Sequence, residues 1–170
     1  MNLGVSDRFT IVTNLSVDEA LQRLASVIEP AKRQWFGMPS SWKRKPYEGT
    51  ISGNTFRISR VINYRNSFVP VIEGEIYEGP EGASIEISMN LNTLVLAFMI
   101  FWLAVVGSFC IFALRAAISA ISIGWFTLLP ILMFVFGIAM TVGGFSVEAD
   151  KSKRFLCGLF EQEISSAART

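Results

Sequence analysis

The chain has no histidine and only two cysteines among its 170 residues. Histidine is the commonest metal ligand and the usual acid–base group near neutral pH, so its absence removes the most frequent route to catalysis. Cys110 lies inside an apolar run and Cys157 in a charged segment beyond it. Two isolated thiols without histidine argue against a zinc or iron–sulfur site. We therefore expect small buried hydrophobic side chains here, and no cofactor.

Charged residues are also scarce, at 17% of the chain with a net charge of +1, and two long stretches have none. Residues 94–114 are uncharged, and after Arg115 so are residues 116–147. About 20 apolar residues suffice for a helix to cross the bilayer core. We predict a transmembrane hairpin over 93–146, with spans at 94–114 and 122–145. Buried core helices are the alternative, but two such runs are hard to bury in so small a soluble fold.

The distribution of basic residues predicts an orientation. Lys151, Lys153 and Arg154 follow the second apolar run, whereas the connection between the runs carries only Arg115. Basic flanks favour the cytoplasmic side, so both termini are expected to face the cytoplasm. The first residues show no basic head followed by an apolar run, so the N-terminal domain should stay on the side where it is made.

The segment before the first apolar run reads as strands and one helix. Residues 8–15 alternate as a strand, and Ser16 with Glu19 forms a capping-box pattern ahead of apolar residues at helical spacing. Residues 47–91 read as a meander of short strands, with a turn at Gly53-Asn54. We predict a cytoplasmic α+β domain over 1–92, containing an antiparallel sheet of about five strands and an N-terminal helix.

The C-terminal segment 147–170 is predicted to be an amphipathic helix. Phe155, Leu156, Leu159 and Phe160 lie on one helical stripe. We expect this helix to pack back on the sheet; the alternative is that it lies in the membrane interface. The predicted fold is thus an α+β membrane protein whose C-terminal helix closes the sheet domain.

A basic and aromatic stretch separates the first helix from the meander. Its prominent residues are Trp35, Trp42, Lys43, Arg44 and Lys45. Interfacial tryptophans with cations for anionic headgroups are typical of membrane-surface contact. A loop whose aromatic rings cap the core explains the same residues. Nucleic-acid binding is the least favoured interpretation, because no recognised fold motif accompanies the charges.

The stretch YRNSF, residues 64–68, lies between two apolar strands. Asparagine and serine hold tight corners by bonding their own backbone, so a strand connection is the first interpretation. Contact of Arg65 and Asn66 with a partner or an anionic group is the second. Strict alternation places Arg60 on an apolar face; we expect a bulge that turns it outward, and a pocket that receives it is the alternative.

Two motifs carry a resemblance. G-x-I-x-G-x-x-F begins at Gly49, and Y-R-N-S-F-x-P-x-I-x-G covers 64–74. Followed by a last strand and a membrane hairpin, they resemble a family of small, uncharacterised bacterial membrane proteins, over most of the chain. The resemblance implies a bacterial origin and this architecture, and it implies no activity. With the predicted spans, the expected location is the bacterial inner membrane.

The sequence therefore predicts a protein without enzymatic activity, since no nucleophile elbow, phosphate-binding loop or dense carboxylate cluster is present. The first hypothesis is an accessory subunit or scaffold that contacts other membrane protein subunits and lipids. The second is a membrane-anchored module that encloses a lipid or another apolar ligand. A channel or transporter is less favoured, because neither span carries an internal charge.

Overall fold

The chain folds as a strand-rich unit followed by two long helices. The computed structural model describes residues 5–30, 45–80, 82–120 and 124–167. The elements are β1 Ser6–Thr13, α1 Val17–Val27, β2 Ile28–Pro30, β3 Tyr47–Ser52, β4 Thr55–Arg60, β5 Pro70–Gly79, β6 Gly82–Leu91, α2 Thr93–Ala120 and α3 Trp125–Ala167. The predicted α+β class is confirmed.

The strands form one mixed sheet in the order β1-β6-β5-β4-β3-β2. All neighbours are antiparallel except β2 and β3, which are parallel. The prediction of about five antiparallel strands missed β2. This strand is only three residues long and ends in Pro30, so it shows no alternation, and its pairing of Ile28 with Tyr47 is not local.

Local signals account for α1 and for the tightest turn. The Ser16 hydroxyl accepts a hydrogen bond from the Glu19 amide, and the Glu19 carboxylate accepts one from the Ser16 amide at 2.9 Å, so the capping box is confirmed. This backbone bond is the main cause that lowers the pKa of Glu19. Gly53 has φ of +57° and begins the two-residue turn between β3 and β4, as predicted.

The core lies between one face of the sheet, which we call the covered face, and α1 with the C-terminal half of α3. Ile72, Ile76 and Ile85 on the sheet join Leu156 and Phe160 of α3 in one buried cluster. The C-terminal segment therefore packs on the sheet. It is not a separate helix, however, because α3 continues without a break from Trp125.

Further contacts tie α3 to β1 along its length. The Thr13 hydroxyl donates to the Phe160 carbonyl at 3.1 Å, and Lys153 forms a 3.2 Å ion pair with Asp7. Residues 153 and 160 thus lie beside the start and end of β1. The order shows that α3 runs alongside this strand in the same direction.

The remaining parts of the two long helices pack against each other as an antiparallel hairpin. The Phe134 ring lies over Gly107, and the Leu103 side chain lies over Gly137, so small residues allow a close approach. Most other side chains of the hairpin are large, apolar and exposed. In the most apolar 18-residue segment of each helix, only 11% of α2 and 17% of α3 is buried. Both helices are long enough to cross a membrane.

Candidate functional site

A buried carboxylate lies where α3 leaves its uncharged run and meets the sheet. Glu148 is only 1% exposed. Its Oε2 accepts from Arg60 Nη1 at 3.0 Å, its Oε1 accepts from Lys151 Nζ at 2.9 Å, and the Tyr64 hydroxyl also donates to Oε1. A buried carboxylate without such partners would be strongly destabilising. We call these four residues the Glu148 cluster.

Arg60 reaches this cluster because β4 is regular to its last residue. Arg60 pairs in register with Tyr47, so its side chain lies on the covered face with Phe56 and Ile58. The expected outward bulge is therefore wrong, and the alternative, in which Arg60 points inward, is what the structure shows. The sequence offered no obvious acceptor, since Glu148 lies 88 positions away.

The connection 61–69, which we call the corner, contacts α3 at two points one helical turn apart. The Phe68 ring lies so close to Gly144 that an added Cβ would be 2.8 Å from it, and Tyr64 bonds Glu148. Residues four apart share one helix face, so the corner holds a single face of α3. Asn66 shapes the corner locally, because its Oδ1 accepts from the Phe68 amide at 2.9 Å.

The three residues predicted to contact a partner or an anion therefore have different surroundings. Arg60 bonds Glu148, and the Asn66 carbonyl is used within the corner. Arg65 is exposed on the outside of the corner, beside Tyr64 in the chain. Of the three, Arg65 is the exposed one, whereas Arg60 and Asn66 are half-buried.

Two buried hydroxyls lie next to the cluster. Tyr47 and Ser152 are almost fully buried, and neither hydroxyl has a hydrogen-bond partner among the described residues. The Tyr47 ring packs against Phe155, with ring centroids 5.2 Å apart. Burial raises the pKa of the Tyr47 hydroxyl, an effect that the nearby Ser152 hydroxyl partly offsets. The sheet–helix contact is therefore polar at this end and apolar toward Phe160.

Most of the basic-aromatic loop lies outside the described residues, including Trp35, Trp42, Lys43 and Arg44. Its last member, Lys45, is described, and its ammonium group donates to the Ala25 carbonyl in the last turn of α1 at 2.9 Å. A lysine that bonds a carbonyl near a helix C-terminus is stabilising. Membrane contact by the loop remains a prediction.

The opposite face of the sheet, which we call the uncovered face, is polar and open. Arg57 and Glu73 are register partners on β4 and β5, and they form a 3.1 Å ion pair on this face with side chains 68% and 49% exposed. Glu75 lies opposite Glu86 in the ladder. The hydrogen bond and charge of Glu86 raise the pKa of Tyr77 to about 12. A shallow hollow on this face is lined by side chains of both charge signs.

The fold and site together define a class: an α+β sheet domain continuous with a hairpin of two long apolar helices. Compared with protein-family models, with curated proteins and with solved structures, the chain has no match. Within the described residues, no group of three His, Cys, Asp or Glu side chains is placed to hold a metal ion.

Sequence reasoning missed Glu148 and Ser152. The available signal was a carboxylate placed directly after the uncharged run and three residues before Lys151, a spacing that brings two side chains together on a helix.

Proposed function

We propose that the protein is a non-enzymatic integral membrane protein that serves as an accessory subunit or scaffold of a larger membrane assembly, with the sheet domain as its cytoplasmic interaction domain. The observation that carries this proposal is the pair of helices whose apolar side chains stay exposed while the sheet domain closes its own core.

Exposed apolar surface of this extent needs a cover. Leu94, Phe101, Phe112 and Leu132 are among the large side chains exposed on the hairpin. Contiguous apolar patches of this kind are unusual on soluble monomers and mark membrane or protein contact. Lipid, together with the helices of neighbouring subunits, supplies such a cover.

The position of the helices supports one orientation. α2 begins at Thr93, directly after β6, and α3 returns to the same sheet. The sheet domain and both termini then lie on one side of the membrane. Lys151, Lys153 and Arg154 outnumber Arg115 in the connection, which favours the cytoplasmic side of a bacterial inner membrane.

The polar groups of the chain support an interaction role over catalysis. The titratable groups of the Glu148 cluster bond one another across the sheet–helix contact. The uncovered face instead presents a broad polar surface of both charge signs, with Arg57, Thr50 and Glu73 side by side in the ladder. Such a surface suits docking by a protein subunit.

Two measurements test the proposal. The full-length chain should stay in the membrane pellet after alkaline extraction, and it should bring a stoichiometric membrane partner through purification in mild detergent. Thr50→Glu with Arg57→Glu should release that partner, whereas the control Arg154→Gln, on the exposed side of α3, should retain it. A chain extracted as a soluble protein, or one purified without a partner, contradicts the corresponding half of the proposal.

The alternative, a module that encloses a lipid or apolar ligand, receives less support. The space between the sheet and the helices is filled by side chains such as Ile72, Ile76 and Met89, which have no exposed area. Lipid retained inside the sheet domain, detected by native mass spectrometry, would favour this alternative.

A further inference from the structure

The segments that connect the sheet to the hairpin lie at one end of the sheet. Pro70 pairs with Leu91, and α2 begins two residues later at Thr93. The corner 61–69 ends beside that pair, and its Phe68 ring contacts Gly144 of α3. The corner, the start of α2 and the exit of α3 therefore lie together at this end.

The depth of the corner follows from helix geometry. The uncharged run of α3 ends at Val147, and Glu148 is the first charge. From Val147 the helix rises about 1.5 Å to Glu148 and about 6 Å to Lys151. The headgroup layer beyond the hydrocarbon is about 5–8 Å thick on each side. When α3 spans a bilayer, Tyr64 and Lys151 therefore lie at headgroup depth.

The groups at that depth carry an excess of positive charge. Arg60, Arg65 and Lys151 give three cations against the two carboxylates of Glu148 and Asp150. Glu148 is buried and uses Arg60 on its inner side. The Lys151 ammonium also pairs with Glu148 at 2.9 Å, but its side chain is 43% exposed. Arg65 is exposed as well, so both cations are accessible from outside.

The outward groups have the chemistry that a lipid phosphate requires. The Tyr64 ring is 53% exposed, and the Lys151 ammonium lies 5.7 Å from its centroid and 3.4 Å from its hydroxyl. Arg65 follows Tyr64 directly and is exposed. Guanidinium and ammonium groups bind phosphate oxygens strongly, and tyrosine is enriched at the membrane interface.

We propose that Tyr64, Arg65 and Lys151 form a binding site for the phosphate of an anionic membrane lipid. The inference rests on the proposed membrane insertion and deepens it, since it names the lipid class at the junction. A bound headgroup would hold the corner at the bilayer surface, and through Phe68 and Tyr64 the corner holds α3. The lipid thus stabilises the orientation of the whole sheet domain.

The test uses the full-length protein in detergent, titrated with phosphatidylglycerol or phosphatidylcholine and followed by native mass spectrometry. Wild type should bind phosphatidylglycerol in preference. Arg65→Gln should weaken that binding about fivefold, since one cation near an anionic lipid is worth about 1 kcal/mol. The control Arg57→Gln removes the same charge from the uncovered face and should change binding less than twofold.

Further arms separate the possible failures. Lys151→Gln should also weaken binding of phosphatidylglycerol. Glycerol phosphate added in excess should not displace the lipid; displacement would mean that the site binds a free phosphate compound and not a lipid. If Arg65→Gln and Lys151→Gln both bind phosphatidylglycerol like wild type, the inference is wrong. Membrane insertion is measured separately, by retention of the chain in the membrane pellet after alkaline extraction. An unchanged lipid affinity of both variants would therefore refute the lipid site without contradicting the proposed function.

Discussion

The two halves of α3 belong to one unbroken helix, but their side chains have opposite surroundings. Along 125–147 large apolar side chains such as Leu132 and Phe136 are exposed. Along 148–160 the apolar side chains Leu156 and Phe160 are buried against the sheet, as is Glu148, whereas Asp150, Lys151 and Arg154 are exposed. The side chains of the first half suit apolar surroundings. Those of the second half suit a helix with one face in a protein core and the other in water.

The change between the two halves is abrupt and is marked by contacts. Gly144 meets Phe68, and one turn later Glu148 meets Arg60 and Tyr64. Because the helix does not break there, the sheet domain has no flexible linker to the hairpin at this point. The sheet domain is thus joined to the apolar hairpin by an unbroken helix that a buried polar cluster holds.

Removing the second half should give the largest effect. A chain that ends at Asp150 loses Leu156 and Phe160, whose burial contributes about 1.5–3 kcal/mol each. The sum is a large part of the roughly 5–15 kcal/mol that holds a domain folded. We expect the spans to remain inserted and residues 1–93 to become sensitive to protease. A chain that ends at Glu163 is the control; if both resist digestion equally, α3 is not part of the core.

Breaking the cluster at the junction should have the next largest effect. Glu148→Ala leaves Arg60 and Lys151 without their carboxylate. A fully buried pair would cost about 3–5 kcal/mol, but these cations are 32% and 43% exposed, so we expect about 1–3 kcal/mol. Thermal unfolding of the full-length protein in detergent measures this loss.

The ion pair on the uncovered face is the matched control for Glu148. Glu73→Ala removes the exposed partner of Arg57 and should cost at most about 1 kcal/mol. A double-mutant cycle of Arg60→Ala with Glu148→Ala should show coupling that the Arg57 and Glu73 cycle lacks. Equal losses at the two sites would mean that the Glu148 cluster does not hold the junction.

A pair of neighbouring glycines tests the contact between the corner and α3. A Cβ at Gly144 would lie 2.8 Å from the Phe68 ring, whereas one at Gly143 meets nothing within 4 Å. We expect Gly144→Ala to destabilise by about 1–3 kcal/mol through overpacking. Gly143→Ala should be neutral or stabilising, because alanine is the better helix former. Phe68→Leu combined with Gly144→Ala should recover part of the loss, and identical behaviour of the two alanine variants would contradict the contact.

The sequence predicted the parts of this structure that depend on neighbours in the chain. The Ser16 and Glu19 capping box and the Gly53-Asn54 turn are local, and each was found. The long uncharged runs likewise correspond to helices that can span a membrane. Period and turn chemistry are sufficient for such features.

The parts that failed depend on contacts between distant residues. β2 exists because Ile28 meets Tyr47, and Arg60 points inward because Glu148 receives it. Glu148 and Ser152 are polar at positions of α3 that face the core, so the apolar stripe in the sequence starts only at Phe155. A polar residue in a core position is recognisable only once its partner is known, which explains why the candidate site was incomplete.

The smallest expected effect concerns the uncovered face and its Tyr77. Glu86 raises the pKa of the Tyr77 hydroxyl to about 12, mainly through the hydrogen bond that its carboxylate accepts. Because this pKa lies above the unfolded value of about 10, the interaction stabilises the folded state at pH values below ~10. That stabilisation is lost as the pH rises through the folded-state pKa. Glu86→Gln should lower the pKa of Tyr77 toward about 10. The chain has three tyrosines, so the difference between the tyrosinate absorbance titrations of variant and wild type isolates Tyr77. Glu48→Gln, on the same face, should leave the titration unchanged; a titration that Glu86→Gln also leaves unchanged would show that the carboxylate does not act on this hydroxyl.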